Sequence, residues 1–390
     1  MVSFSMLTCW YFILLGLQIE AYSFQSGTWN FRKHPIAYEK AESSTSRPSG
    51  ASDQAPASPI LLLNGFGVGS FHQHRLIDEI YNPQGTVNTP LSTGQNLYCI
   101  DYLGQGRSWP ESCQDGEGPN EKGLRYCGQT WMDQIISFIE EVILPGEESR
   151  KVHIVGNSVG GHLATFLAAN RPDLVDSLVL LNATPVWGLN LPGWSGELPA
   201  PAFPKAIGRF LFDQIRDLET IEKYLEAAYY NRDAFDQSLM SAIRDCTEND
   251  GGHAAFASIL WSPPITTNDD GKFYDALSKV ECDVLLLFGA DDPWCKPAFA
   301  RRMMEMLPSQ IASRYVQLDK VGHCPNHEAP VATANVLQSW LLQSREERRA
   351  KLPLFTQSEI PERWGATTVQ ELGEDEIDLS LVDRLAVTFV

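Results

Sequence analysis

The chain is 390 residues long, with 43% hydrophobic, 10% aromatic and 20% charged residues. That composition can bury a sizeable core and excludes a fibrous or wholly disordered protein. At roughly 150 residues per domain, the length fits two or three domains, or one large α/β domain with insertions. Acidic residues outnumber basic ones 49 to 30, a net charge of −19 that argues against nucleic acid or anionic lipid as a partner.

Met6–Ile19 is apolar and uncharged, and Glu20 is the first charge of either sign. The run is shorter than the roughly 20 residues of a membrane span and suits the core of a signal peptide. Ala21 and Ser23 are small residues at −3 and −1 of a cut before Phe24, so residues 1–23 read as a signal peptide or targeting segment. Trp29–Tyr38 alternates like a first strand, and 41–58, rich in Ser, Ala, Pro and Thr, reads as a flexible loop.

Short apolar runs follow at Ile60–Leu63, Leu97–Ile100, Val152–Val155, Leu178–Leu181, Val284–Phe288 and Tyr315–Leu318. Runs of this kind are strands buried on both faces. Helical patterns at Gln129–Leu144, Gly160–Asn170, Pro297–Met306 and Pro330–Ser344 are interspersed with them. The alternation predicts an α/β fold with a mostly parallel, doubly wound sheet. In 184–276 the strand runs stop and helical patterns such as Phe203–Asp217 and Leu218–Tyr230 take over, which predicts a helical cap inserted after the sixth core strand. The core then comprises 24–183 and 277–344. Residues 345–390 read as an acidic, weakly ordered C-terminal extension with one docking helix.

Eight cysteines without C-x-x-C spacing call for no zinc or iron–sulfur site. Cys113 and Cys127 bracket a polar loop, and two readings stay open for them: a pair in an oxidising compartment, or two free thiols.

The chemistry is concentrated in Gly156-Asn-Ser158-Val-Gly160, which joins a buried strand to a helix. G-x-S-x-G in that setting is a nucleophile elbow, where a sharp turn pushes the serine hydroxyl out of the chain. The following helix aims its first amides at the place where negative charge develops. A serine hydroxyl needs a base, and the base needs an orienting acid. His323 follows a late strand through a short loop, with His327 as its rival one helical turn on. Asp291 and Asp292 both follow the preceding strand, and either reaches an imidazole there. For an oxyanion hole, Val159 supplies one backbone amide and the Gly-rich loop Asn64–Gly69 the other, through Phe66. No G-K-[ST] follows that loop, so it is no phosphate cradle; no cofactor and no metal are called for.

Four elements in this order resemble the α/β-hydrolase superfamily: the Asn64-Gly-Phe-Gly loop, Asp101-Tyr-Leu-Gly-Gln-Gly-Arg-Ser108, the Ser158 elbow, and the late Asp and His. The family spacing Gly-x-x-Asp-Pro selects Asp292 over Asp291. Finer strings resemble the pheophytinases and related chlorophyll-dephytylating hydrolases of plants and algae. They are Gly65-Phe-Gly-Val-Gly-Ser-Phe-His72, Leu181-Asn-Ala-Thr-Pro-Val-Trp-Gly188, Ala255-Phe-Ala-Ser-Ile259 and Gly322-His-Cys-Pro-Asn-His-Glu328. The likeness spans about 28–344 and departs at Asn64, at 82–96 and 110–127, and after 344.

The resemblance implies an α/β-hydrolase fold and a serine esterase with Ser158, Asp292 and His323 as catalytic residues. Its substrate would be the phytyl ester of chlorophyll or pheophytin, met by peripheral contact with the thylakoid membrane. Phe71, Trp187, Trp261 and Trp294 are then substrate-binding candidates, and packing between cap and core is the other reading of each. Ala21-Tyr-Ser-Phe24 resembles the targeting junction of algae with secondary plastids, which implies a plastid; the alternative is the secretory pathway. Competing functions are an esterase, lipase or C–C hydrolase for another apolar substrate, an acyltransferase, and a non-catalytic ligand binder. Serine at 158, not aspartate, argues against an epoxide hydrolase or a dehalogenase.

Overall fold

The computed structural model describes residues 22–43, 57–82, 95–110, 123–147, 150–249, 251–350 and 353–377. Most of the targeting segment and of the two departures near 82–96 and 110–127, together with Cys113 and the apolar end Leu379–Val390, lie outside these residues. Among the described residues no helix is long and apolar enough to cross a membrane.

The chain begins with an antiparallel pair, β1 (Tyr22–Phe31) and β2 (His34–Ser43). One strand over Trp29–Tyr38 was expected. The chain instead reverses at Arg32 and Lys33, whose φ values of 48° and 71° make a two-residue hairpin turn. β1 starts two residues before the expected cut at Phe24, and Tyr22 stacks on Tyr81.

The central strands are β3 (Ile60–Leu63), β4 (Asn96–Ile100), β5 (Val152–Asn157), β6 (Val175–Leu181), β7 (Asp283–Gly289) and β8 (Ser313–Leu318). In the sheet they lie in the order β4-β3-β5-β6-β7-β8, all parallel. Their side chains alternate between two cores. Leu61, Leu63, Ile154, Leu178, Leu180, Leu286 and Phe288 enter one; Ile60, Leu62, Val155, Val179, Leu181, Leu285 and Leu287 enter the other. A strand that supplies both faces must be apolar throughout, which explains the unbroken runs.

The helices between these strands are α1 (His74–Tyr81), α2 (Gly128–Phe138) and α3 (Val159–Asn170). Five helices lie between β6 and β7: α4 (Ala202–Ile215), α5 (Leu218–Ala228), α6 (Gln237–Asp245), α7 (Gly252–Trp261) and α8 (Phe273–Leu277). α8 packs on α3 through Phe273, which stacks on His162. It therefore belongs with the layer covering the sheet, and the boundary expected at 276 falls inside it. After β7 come α9 (Pro297–Met306), then, beyond β8, α10 (Pro325–Glu328), α11 (Pro330–Leu342) and α12 (Arg345–Arg349).

The tail departs from a weakly ordered appendage. β9 (Ser358–Glu362) and β10 (Gly365–Leu372) form a second hairpin, and β10 pairs antiparallel with β8, making a sheet of ten strands among the described residues. Glu371, read as part of an acidic run, is structural: it accepts from Arg314 at 2.8 Å and from the amides of Leu354 and Phe355.

Candidate active site

Ser158 sits between β5 and α3 with φ 54° and ψ −116°, backbone that an L-residue occupies only under strain. The surroundings leave the turn no slack. A Cβ on Gly156 would lie 2.5 Å from the carbonyl of Gly160, and one on Gly160 would lie 2.5 Å from the Leu63 carbonyl oxygen at the end of β3. The strand–turn–helix is thus closed by backbone on both sides. Ser158 donates its own amide to the Leu181 carbonyl at 3.0 Å, and its carbonyl accepts from His162 and Thr184. Val159 opens α3, so its amide is one of the helix's unsatisfied first donors.

The loop after β3 comes against this elbow at Gly65, where a Cβ would lie 3.5 Å from Ser158 Cβ. Asn64 anchors it: Nδ2 donates to the Ile100 carbonyl, Oδ1 accepts from Gln73, and the backbone carbonyl accepts from Tyr102. Gly67 donates its amide to Gln105 at 2.9 Å. The Asp101–Ser108 string is scaffolding for the same loop. Asp101 accepts from the amides of Ser70 and Arg107, and the Arg107 guanidinium also pairs with Glu39.

Across the sheet, His323 Nδ1 and Asp292 Oδ2 lie 2.6 Å apart, both side chains buried. Asp292 follows β7 and accepts a second bond, on Oδ1, from the Trp294 amide at 2.7 Å. Asp291 faces elsewhere and accepts from the Lys320 amide. His323 is tied to the elbow, since Asn157 Nδ2 donates to its carbonyl at 3.0 Å. Its amide donates to Ala228 at 2.7 Å. The Gly322 amide donates to Glu328 at 2.7 Å, and burial pushes the Glu328 carboxyl up to about 7.

His327 takes no part in that pair. Its ring stacks on His72 at 4.7 Å; the Tyr229 hydroxyl lies 2.9 Å from His72 Nε2 and 3.0 Å from His327 Nδ1, and Arg75 donates to Nδ1 as well. Burial holds both imidazoles neutral, with His72 pushed down to about 3. The pair serves as a polar brace under the His323 loop.

The aromatic candidates separate. Trp294 is 45% exposed and meets the His323 ring edge-on at 5.0 Å, and Phe66 is exposed on its loop. Phe71 packs against the small core formed by α5 and α6. Trp187 and Trp261 are 8% and 4% exposed; the first packs on Trp131 and His162, and the second donates to the Pro192 carbonyl and packs on Trp194. Both contribute packing area where a substrate surface was expected. Cys127 is a buried free thiol.

Asp292, Cys295 and His323 each offer a ligand atom within 4.8 Å of the others. The carboxylate and imidazole atoms already bond each other, and burial together with the Asp292 charge holds the Cys295 thiol protonated. The open cleft of about 890 Å³ between α1, α11 and the C-terminal hairpin is lined by none of these residues.

Asn182 was not singled out from sequence. It lies in the Leu181–Gly188 string, at the end of β6, and donates from Nδ2 to Asp292 Oδ2 at 2.8 Å.

A model described as the Alpha/beta hydrolase family matches residues 60–336. Pheophytinase, chloroplastic, of Arabidopsis thaliana is 30% identical over 362 residues, covering 83% of this chain and 67% of that protein. A 2-hydroxy-6-oxononadienedioate/2-hydroxy-6-oxononatrienedioate hydrolase of Paraburkholderia xenovorans is 24% identical over 244 residues, covering 60% of this chain and 71% of its own length. The crystal structure of a membrane phospholipase A superposes with a TM-score of 0.56 at 20% identity, over 84% of this chain and 87% of that one.

Proposed function

We propose that this chain, which belongs to the alpha/beta hydrolase family, uses Ser158, Asp292 and His323 as a serine esterase that releases phytol from chlorophyll or pheophytin. The observation that carries the reading is the buried 2.6 Å contact between His323 Nδ1 and Asp292, tied through Asn157 to a strained serine elbow.

That contact fixes the imidazole tautomer, leaving Nε2 to accept the Ser158 proton. Ser158 Oγ attacks the ester carbonyl of the macrocycle's propionate side chain. The amides of Val159 and Phe66 hold the oxyanion, whose charge they meet without reorganisation. The C–O bond to phytol breaks, and the alkoxide leaves with the proton from His323. Water, deprotonated by His323, then attacks the acyl-enzyme and frees the pigment acid, returning the proton to Ser158. Asp292 orients His323 and stabilises the imidazolium as it forms.

Support for the pigment comes from the 30% identity to a chloroplastic pheophytinase and from apolar area beside the site, where Phe66 and Trp294 are exposed. Such area suits a flat macrocycle and a long isoprenoid chain. The same relative supports a plastid location, and on this reading the protein meets its pigment by peripheral contact with the thylakoid membrane. A second reading, hydrolysis of a different substrate, draws on the 24% identity to the Paraburkholderia hydrolase.

Product analysis after separate incubation with chlorophyll a, pheophytin a and an aryl ester tests the proposal. Phytol and the pigment acid are expected, and Ser158→Ala should lower the rate by at least about 10³-fold. Near-normal dephytylation by Ser158→Ala would overturn it, and turnover of the aryl ester alone would select the second reading.

A further inference from the structure

We infer that Asn182 is a positioning residue that holds the Asp292 carboxylate in register with His323, an inference that rests on the esterase reading above. Asn182 is 0% exposed, so it touches neither solvent nor substrate. Its φ is 42°, left-handed backbone that asparagine tolerates better than most side chains. That conformation lets one short amide bridge two points of the neighbouring loop. Oδ1 accepts from the Gly289 amide at 2.9 Å, at the end of β7, while Nδ2 donates to Asp292 Oδ2 at 2.8 Å. Its backbone amide donates to the Leu287 carbonyl at 3.2 Å, which pins the residue to β7 as well.

Oδ2 is also the oxygen that meets His323 Nδ1, and Oδ1 receives the Trp294 amide. Three donors therefore surround one buried carboxylate, the arrangement that fixes its orientation. Trp294 shares the loop of Asp292 and His323 is the group to be oriented, so Asn182, which follows β6, is the donor that fixes the carboxylate from a neighbouring strand. Without it the carboxylate can turn about its last bond, and the imidazole loses its fixed orientation.

The titratable groups facing Asp292 are His323, Cys295 and Cys324, and burial keeps both thiols protonated. A carboxylate at 182 would therefore face Asp292 with no further charge to compensate it. Two carboxylates at this separation share one proton. With the proton shared, an O–H again bridges to Asp292; once it leaves, repulsion pushes the acid away from His323.

The test uses Asn182→Ala and Asn182→Asp in the full chain, with p-nitrophenyl butyrate as probe and fluorophosphonate labelling of Ser158 as a second readout. Asn182→Ala is expected to lower kcat by roughly 10- to 100-fold with KM unchanged, and to slow labelling in parallel. Asn182→Asp is expected to retain activity at acid pH and to gain an alkaline limb of lost activity that the wild type lacks. It also keeps the test open if the alanine variant fails to fold. A kcat for Asn182→Ala within about threefold of wild type, or an Asn182→Asp profile that coincides with wild type, overturns the inference. Absence of turnover and of labelling in the wild type overturns the esterase reading instead.

Discussion

Ser158 offers a way to weigh what the elbow costs the fold. Its φ of 54° and ψ of −116° become an ordinary extended conformation when both signs are reversed, so glycine adopts it as readily as its mirror image. Comparing Ser158→Gly with Ser158→Ala isolates the strain, because both variants lack the hydroxyl and only one keeps a Cβ. Residues in such backbone carry about 1–3 kcal/mol, and glycine returns about 0.5–1 kcal/mol through the entropy of the unfolded chain. The glycine variant should therefore be the more stable by about 0.5–2 kcal/mol. At about 2.1 cal/mol/K per residue, a chain of 390 residues should then show a Tm difference of about 0.6–2.4 °C. Differential scanning calorimetry at matched pH and scan rate reads this directly. A glycine variant no more stable than the alanine variant would refute the reasoning, and with it the idea that strain is stored at this turn.

Three further outcomes follow from the geometry. Gly160→Ala would place a methyl group 2.5 Å from the Leu63 carbonyl oxygen and 2.7 Å from that of Asn64. We expect a loss of about 1–3 kcal/mol by chemical denaturation and, as the Phe66 loop is pushed outward, a fall in kcat of at least about 10²-fold. Trp294→Ala removes exposed ring area beside His323 and should raise KM for a bulky apolar ester about 3- to 10-fold. A small water-soluble ester should be hydrolysed nearly as before, and equal losses on both substrates would contradict this. Glu328 has its carboxyl raised from 4.5 to about 7 by burial, so between those values the folded state holds a proton that the unfolded state has lost. Its contribution to stability is full below pH 4.5 and lost as pH rises through 7. In a Tm series from pH 4.5 to 8, the stability of wild type relative to Glu328→Gln should fall with pH; a flat difference would contradict the assignment.

The central sheet was legible because burial on two faces leaves its strands no polar positions: Ile60–Leu63 and Val284–Phe288 are unbroken apolar runs. Strands at and beside the edge of the sheet face different demands. β9 and β10 bury only a few residues, such as Thr367 and Val369, and their polar sequence carries no comparable signal. The first hairpin was hidden by its turn, since Arg32 and Lys33 take left-handed backbone without the glycine or asparagine that usually marks it. At the site, Ser158 and His323 stood out because strand–turn–helix order and late-loop position constrain them. Asp292 needed a family spacing to be separated from Asp291, and the structure separates the two by their partners. Trp187 and Trp261 were ambiguous for a physical reason: a large aromatic ring serves a pocket or a core equally well, and only its neighbours decide. Asn182 gave no signal of its own, because a buried asparagine acquires meaning only from a carboxylate more than a hundred residues away.

The helices between β6 and β7 leave the sheet at Leu181 and return at Asp283, on strands that are immediate neighbours. Both anchor points are thus held by ladder bonds independent of whatever lies between them, and Asn182, the first residue out, is fastened back to Gly289. Away from the turn at 228–231, whose carbonyl at Ala228 receives the His323 amide, this stretch can consequently be lengthened, shortened or exchanged by recombination while Asp292 keeps its seat. Selection can reshape what the protein accepts while that turn stays, and a laboratory graft from a relative would start from the same advantage if it exchanged α4, α6 and α7 and left α5 in place.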